Sequence, residues 1–185
     1  MKRLFVAVKI HPDEKLLHAV QKIQQDCATE DIKWVKTDSL HITLKFLGDT
    51  PDKEVKPVQQ LLAAALKDFR AFGFRVENMG YFGNSRFPRV LWLGIEEKPE
   101  WIELFDRVND ALTGYGKKED PRAFKPHLTI GRVKSFRDVD TLFALEAEFA
   151  GVVFQEVTVS EVILFESFLK PTGPVYNIVE KFPFT

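Results

Sequence analysis

Leu40-His41-Ile42-Thr43-Leu44-Lys45-Phe46-Leu47-Gly48 and Pro126-His127-Leu128-Thr129-Ile130-Gly131-Arg132 are two copies of one pattern. Each opens with alternating polar and apolar residues, the mark of a strand with one face on a core. In a strand, residues i and i+2 share a face. His41 therefore projects with Thr43, and His127 with Thr129, while Ile42, Leu44, Leu128 and Ile130 pack behind them. The copies are 86 residues apart, from 41 to 127. At the same offset the helix beginning near Pro51 falls on one near Arg137, and the strand near Ala71 falls on one near Val157. One residue less brings Val90-Leu91-Trp92 onto Val175-Tyr176-Asn177. Strand, helix, strand, turn-rich loop and strand recur in register. An internal duplication is the simplest explanation, with the two halves forming related lobes.

Working outward, Leu4 to Ile10 reads as a buried strand. Pro12 and Asp13 open a helix that runs to about Cys27. Ile32 to Val35 and Ser39 to Leu47 are strands, the second ended by Gly48-Asp49. A helix from Pro51 to about Phe69 follows. Phe72 to Val76 and Val90 to Ile95 are strands with a turn-rich loop, Gly80 to Pro88, between them. Then come a helix from Pro99 to Leu112, a strand from Pro126 to Val133, a helix from Asp138 to Phe149, strand-rich sequence from Val152 to Phe165, a turn at Pro171 to Pro174, and a last strand from Val175 to Lys181. No Gly-rich phosphate loop follows the first strand, and the closing strands look like antiparallel hairpins with wide loops. The expected fold class is α+β.

The chain has 185 residues and a mass of 21.3 kDa, enough for one domain over residues 1–185 built of two intertwined lobes. Hydrophobic residues are 45% and charged residues 29%, which argues against disorder. The net charge is -1, so nothing in bulk draws the chain to nucleic acid or an anionic membrane, and a nucleic-acid substrate would need a local basic patch. The single cysteine, Cys27, excludes an intramolecular disulfide and a cysteine-rich metal site; it is expected to pack. The apolar run Leu61 to Leu66 is too short to cross a bilayer, and the start, polar again by Lys9, lacks a leader's apolar stretch. A cytoplasmic location is expected.

The chemistry lies in the two motifs. Two imidazoles facing across one cleft suit phosphodiester cleavage, because an ordinary pKa of about 6.5 lets one ring be neutral and the other protonated. The neutral ring takes a proton from water and the protonated ring gives one to the leaving oxygen. Threonine hydroxyls hold the non-bridging oxygens. No metal or other cofactor is expected. With four His and ten Thr in the chain, one His-x-Thr arises by chance about 0.2 times. The competing explanation is a pair of core histidines in duplicated strands. His11 and His18 are expected to be solvated or locally bonded.

These motifs resemble those of the two-histidine (2H) phosphoesterase superfamily, and most closely the bacterial and archaeal RNA 2′,3′-cyclic phosphodiesterases, also known as 2′-5′ RNA ligase-like proteins. Arg3-Leu4-Phe5-Val6-Ala7-Val8, Lys33-Trp34-Val35, Pro88-Arg89-Val90-Leu91-Trp92, Phe165-Glu166-Ser167 and Pro171-Thr172-Gly173-Pro174-Val175-Tyr176 extend the resemblance over essentially the whole chain. It implies a bilobal, pseudo-twofold fold of two mostly antiparallel sheets facing a central cleft, with helices outside. It implies hydrolysis of RNA 2′,3′-cyclic phosphate ends to 2′-phosphomonoesters. His41 would donate a proton to the leaving 3′ oxygen, His127 would activate water, and Thr43 and Thr129 would bind the phosphoryl group.

Lys45 shares the face of His41 and Thr43 if the strand is regular, and Lys125 has the same relation to His127. Arg132 falls on the opposite parity and reaches the cleft only through a twist or bulge near Gly131. Phe46, Tyr81, Phe82 and Phe168 are candidates to stack on a base, with core packing favoured for Phe46. Arg86 and Arg89 would add charge near the Gly80–Phe87 loop. The expected partner is an RNA or oligonucleotide with a 2′,3′-cyclic phosphate end, with no membrane, no obligatory protein partner and a monomeric chain. The same motifs are compatible with 2′-5′ RNA ligation, with another cyclic phosphate substrate, or with an RNA-end-binding module that does no chemistry.

Overall fold

Residues 1–117, 124–171 and 173–184 are described in this structure, a computed structural model. In chain order they form β1 (Lys2–Lys9), α1 (Glu14–Asp26), β2 (Asp31–Trp34), a 3-10 turn (Thr37–Ser39), β3 (His41–Thr50), α2 (Asp52–Leu66), β4 (Phe72–Asn84), β5 (Phe87–Ile95), α3 (Pro99–Ala111), β6 (His127–Ser135), α4 (Val139–Glu148), β7 (Val153–Val159), β8 (Glu161–Lys170) and β9 (Gly173–Pro183). Thr172, inside the expected turn at Pro171 to Pro174, lies outside the described residues. Every strand pair is antiparallel. The first sheet has the order β3-β1-β8-β9 and the second β2-β6-β5-β4-β7, so the α+β expectation holds.

β1 explains why Leu4 to Val8 is unbroken apolar sequence: both its faces are covered. Leu4, Val6 and Val8 join the main core, which also takes Leu16, Val20 and Ile23 of α1, Leu62 of α2 and Trp101 of α3. Phe5 and Ala7, on the other face, form a smaller cluster with Ile163, Phe165 and Tyr176. Helices cover the main-core side of both sheets, with α3 against β3 and α4 against β4. Local chemistry sets the helix starts: Asp13 Oδ1 accepts from Leu16 N at 2.8 Å, and Asp138 Oδ1 from Thr141 N at 3.2 Å.

The offset of 86 that relates the motifs also carries β1 onto β5 and α1 onto α3. In each sheet the motif strand lies beside that partner, β3 beside β1 and β6 beside β5. The next position is filled from the other half of the chain. β4 completes the sheet of β5 and β6, and β8 returns to complete the sheet of β1 and β3.

One expectation fails here. The stretch Gly80 to Pro88 is not a wide loop. β4 continues through it to Asn84, and β5 starts at Phe87. Asn84 Oδ1 accepts from Arg86 N at 3.1 Å and from Phe87 N at 2.9 Å, which closes a tight turn in place of a loop. β3 likewise runs past Gly48-Asp49 to Thr50.

Candidate active site

On β3 the register against β1 pairs Lys9 with His41, Ala7 with Thr43, Val6 with Lys45 and Phe5 with Phe46. One extra residue, Leu44, lies between Thr43 and Lys45, a one-residue bulge that reverses the side-chain alternation beyond it. His41 and Thr43 stand on the face of Ala7 and Phe5, and Lys45 is driven to the opposite face. Lys45 is therefore not a cleft residue, contrary to the regular-strand expectation. It is 3% exposed, and its Nζ donates to Asn109 Oδ1 at 2.9 Å and to Lys117 O at 3.2 Å. The same reversal turns Phe46 outward, 56% exposed, so it is not the core residue expected.

β6 is built the same way. Against β5, Gly94 pairs with His127, Trp92 with Thr129, Leu91 with Gly131 and Val90 with Arg132, leaving Ile130 as the extra residue. This is the bulge that Arg132 needs to reach the cleft. Ile130 and Gly131 are both buried, and Arg132 emerges on the face of His127 and Thr129. Gly131 suits this position because a Cβ would stand 2.8 Å from Ile32 Cγ2 and 3.0 Å from Trp34 Cε3 of the neighbouring strand β2.

β3 and β6 approach each other, and their histidines interact electrostatically. His41 Nδ1 lies 2.7 Å from Ser39 O, and His127 Nδ1 lies 2.8 Å from Lys125 O. A carbonyl only accepts, so each Nδ1 carries the proton and donates it. In the neutral ring, each Nε2 is thereby left as the basic nitrogen. Phe5 and Tyr176 flank the His41 ring, both at 5.1 Å between centroids. The Phe82 ring meets that of His127 edge-on at 4.7 Å. These aromatic rings border the buried imidazoles. Burial pushes both imidazoles below the ordinary histidine value, and the carbonyl bonds pull partly back. The Arg132 charge lowers both, and the His127 charge lowers His41 further.

Phe82 thus packs against His127, on a strand where a loop was expected. Trp92, opposite Thr129, lies flat over Gly80, where a Cβ would come within 2.5 Å of its ring. Arg89 is exposed at the irregular end of the β4–β5 pair, and Arg132 is the guanidinium that acts on both rings. Phe168 is exposed near the end of the β8–β9 hairpin, and Lys125 contributes its carbonyl. His11 and His18 are exposed. Cys27 is buried, and burial pushes its thiol up to about 11, in line with a packing role. The motifs did not reveal Lys9, Phe5, Trp92 or Tyr176 as neighbours of the cleft. Lys9, Phe5 and Trp92 follow from strand register, and Tyr176 from the return of β9. Among the described residues no group of three or more His, Cys, Asp or Glu side chains is placed to hold a metal ion. Nor is any helix there long and apolar enough to cross a membrane.

Comparison with known proteins agrees with this architecture. A protein from Methanothermobacter thermautotrophicus named RNA 2′,3′-cyclic phosphodiesterase is 35% identical over 97% of this chain and 97% of its own. One of the same name from Archaeoglobus fulgidus is 33% identical over 97% of this chain and 99% of its own. A crystal structure of a Thermus thermophilus protein superposes with a TM-score of 0.78 at 28% identity, covering 98% of this chain and 97% of that one. The model of the 2′-5′ RNA ligase superfamily matches residues 5–167. With its paired His-x-Thr strands, this chain belongs to the 2′-5′ RNA ligase superfamily, in the family of the RNA 2′,3′-cyclic phosphodiesterases.

Proposed function

We propose that the chain hydrolyses the 2′,3′-cyclic phosphate at the end of an RNA to a 2′-phosphomonoester, by acid–base catalysis between His41 and His127 and without a metal. The observation that carries this reading is the matched anchoring of the two rings. Each Nδ1 is held by a main-chain carbonyl two residues upstream, leaving each Nε2 for chemistry.

His127 Nε2 takes a proton from water as the water oxygen bonds to phosphorus. The bond from phosphorus to the 3′ oxygen breaks, and protonated His41 gives that oxygen its proton. The 2′ oxygen keeps the phosphate. With both rings lowered in the free protein, the negative charge of the bound cyclic phosphate favours protonation of one of them. Thr43 and Thr129 donate to the non-bridging oxygens, and Arg132 offsets the charge that grows on them. Both histidines come from one chain, so the reading requires no second subunit.

The test is a short RNA with a 2′,3′-cyclic phosphate end, incubated in excess EDTA with the native protein, His41→Ala and His127→Ala. A 2′-phosphate product from the native protein alone is expected, with turnover in each variant lower by about 10²–10⁴. Undiminished turnover in both variants would sink the assignment.

A further inference from the structure

A nearly symmetric catalytic pair does not by itself say which way an RNA lies in the cleft. The surroundings of the pair are not symmetric. On the cleft face of the first sheet, Phe46 stands to one side of Thr43, exposed and 6.1 Å from Phe5 between ring centroids. On the other side, beyond His41, is a cavity of about 330 Å³ with Lys9 and Lys36 in its wall. Lys9 pairs directly with His41 and shares its face. Phe165, Tyr176 and Ile178 also line this cavity. Asp38 is the acidic group among its lining residues, and its Oδ1 accepts from Ser39 Oγ at 3.0 Å. The volume is at the lower end of small-molecule sites, about 300–1,000 Å³. An apolar lining with two ammonium groups against one carboxylate suits a nucleoside joined to a phosphate.

We infer that this cavity is the subsite for the phosphodiester and nucleoside that precede the cyclic-phosphate end, with Lys9 and Lys36 on the phosphate. The inference rests on the hydrolytic reading above. Ribose chemistry gives the direction. The cyclic phosphate bridges O2′ and O3′; C1′, with the base, adjoins C2′, and C4′, leading to the 5′ phosphate, adjoins C3′. The terminal base and the preceding phosphate thus depart on opposite sides of the reacting phosphorus. A base on Phe46 and a 5′ phosphate at Lys9 and Lys36 satisfy that order, and they place O3′ toward His41. The exposed ring and the lysine cavity then serve a single strand polarity.

The experiment compares a nucleoside 2′,3′-cyclic phosphate with the dinucleotide bearing the same end. The native protein is expected to show a kcat/KM about tenfold higher on the dinucleotide. In the double variant Lys9→Gln/Lys36→Gln that ratio should fall to about one, and in Asp38→Asn it should rise. Because a ratio is read on one preparation, loss of folded protein cancels. Equal use of both substrates by the native protein, or an unchanged ratio in the double variant, overturns the subsite. If the native protein cleaves neither substrate, the hydrolytic reading fails and the subsite falls with it.

Discussion

Phe46 and Arg132 occupy the same position relative to their motif histidines, and each is turned into the cleft by a single extra residue, Leu44 in one strand and Ile130 in the other. The two bulges are equivalent, yet one delivers a phenyl ring and the other a guanidinium. The machinery is thus duplicated in its histidines and threonines and differentiated one step beyond them. At that one position β6 presents a charge and β3 an aromatic ring.

Arg132→Gln should move the pH dependence of kcat/KM. The guanidinium disfavours a second positive charge nearby and so lowers both imidazoles. Without it, each imidazolium persists to higher pH, and both limbs of the profile should shift upward. The rate at the optimum should fall by about 10–10³ as the charge opposite the phosphoryl oxygens is lost. Arg132→Lys should keep the profile near its native position. A Gln variant with an unmoved profile would remove Arg132 from the site.

Phe46→Ala should weaken substrate binding with little effect on the chemical step. Stacking of one base on an aromatic ring contributes about 1–3 kcal/mol, so KM should rise by about 5–150-fold. Phe46→Trp should restore it. A fall in kcat with KM unchanged would mean that the ring positions the catalytic strand and does not receive a base.

Lys45→Met tests the buried side of the same strand. It removes a charged group that is hydrogen-bonded to Asn109 and to the Lys117 carbonyl. Urea denaturation should show a loss of about 1–3 kcal/mol. KM measured below the unfolding range should keep its native salt dependence, because Lys45 does not reach the substrate. A flattened salt dependence would contradict that placement.

Acid should destabilise the fold through the active-site rings. Both folded-state pKa values lie below the ordinary 6.5, so the unfolded chain binds these protons more readily. This contribution is intact above about pH 6.5 and is lost as the pH falls through the folded values. The double variant His41→Asn/His127→Asn should lose less stability between about pH 7 and 5 than the native protein, as measured by urea midpoints. Parallel curves for the two proteins would show that the rings are not held in their neutral form by the fold.

Much of this was legible in the residues. The i, i+2 pairing of His41 with Thr43, and of His127 with Thr129, survives because it lies ahead of each bulge. Lys45 and Phe46 were misplaced because they lie beyond one. Alternation gives the parity of a regular strand but does not reveal where an extra residue is inserted. Arg132 was placed conditionally for the same reason, and the condition is met at Ile130. Gly80 to Pro88 looked like a loop because glycine, asparagine and proline cluster there. In the structure the ladder between β4 and β5 carries the chain through it as strand, and Gly80 makes room for Trp92. The sequence did not place Lys9 or Tyr176 beside His41. Their nearness to His41 depends on long-range pairing that no local pattern encodes.

The return of β8 to pair with β1 has a consequence for synthesis on the ribosome. The sheet that holds the first histidine motif is finished only by β8 and β9, which emerge long after it. Until then Phe5 and Ala7 lack Ile163 and Phe165, and the His41 ring lacks Tyr176. A nascent or truncated chain ending before β8 carries both motifs in its sequence but cannot assemble the wall around the first. Such fragments are expected to be inert toward RNA ends, so that competence arrives in one step with the β8–β9 hairpin.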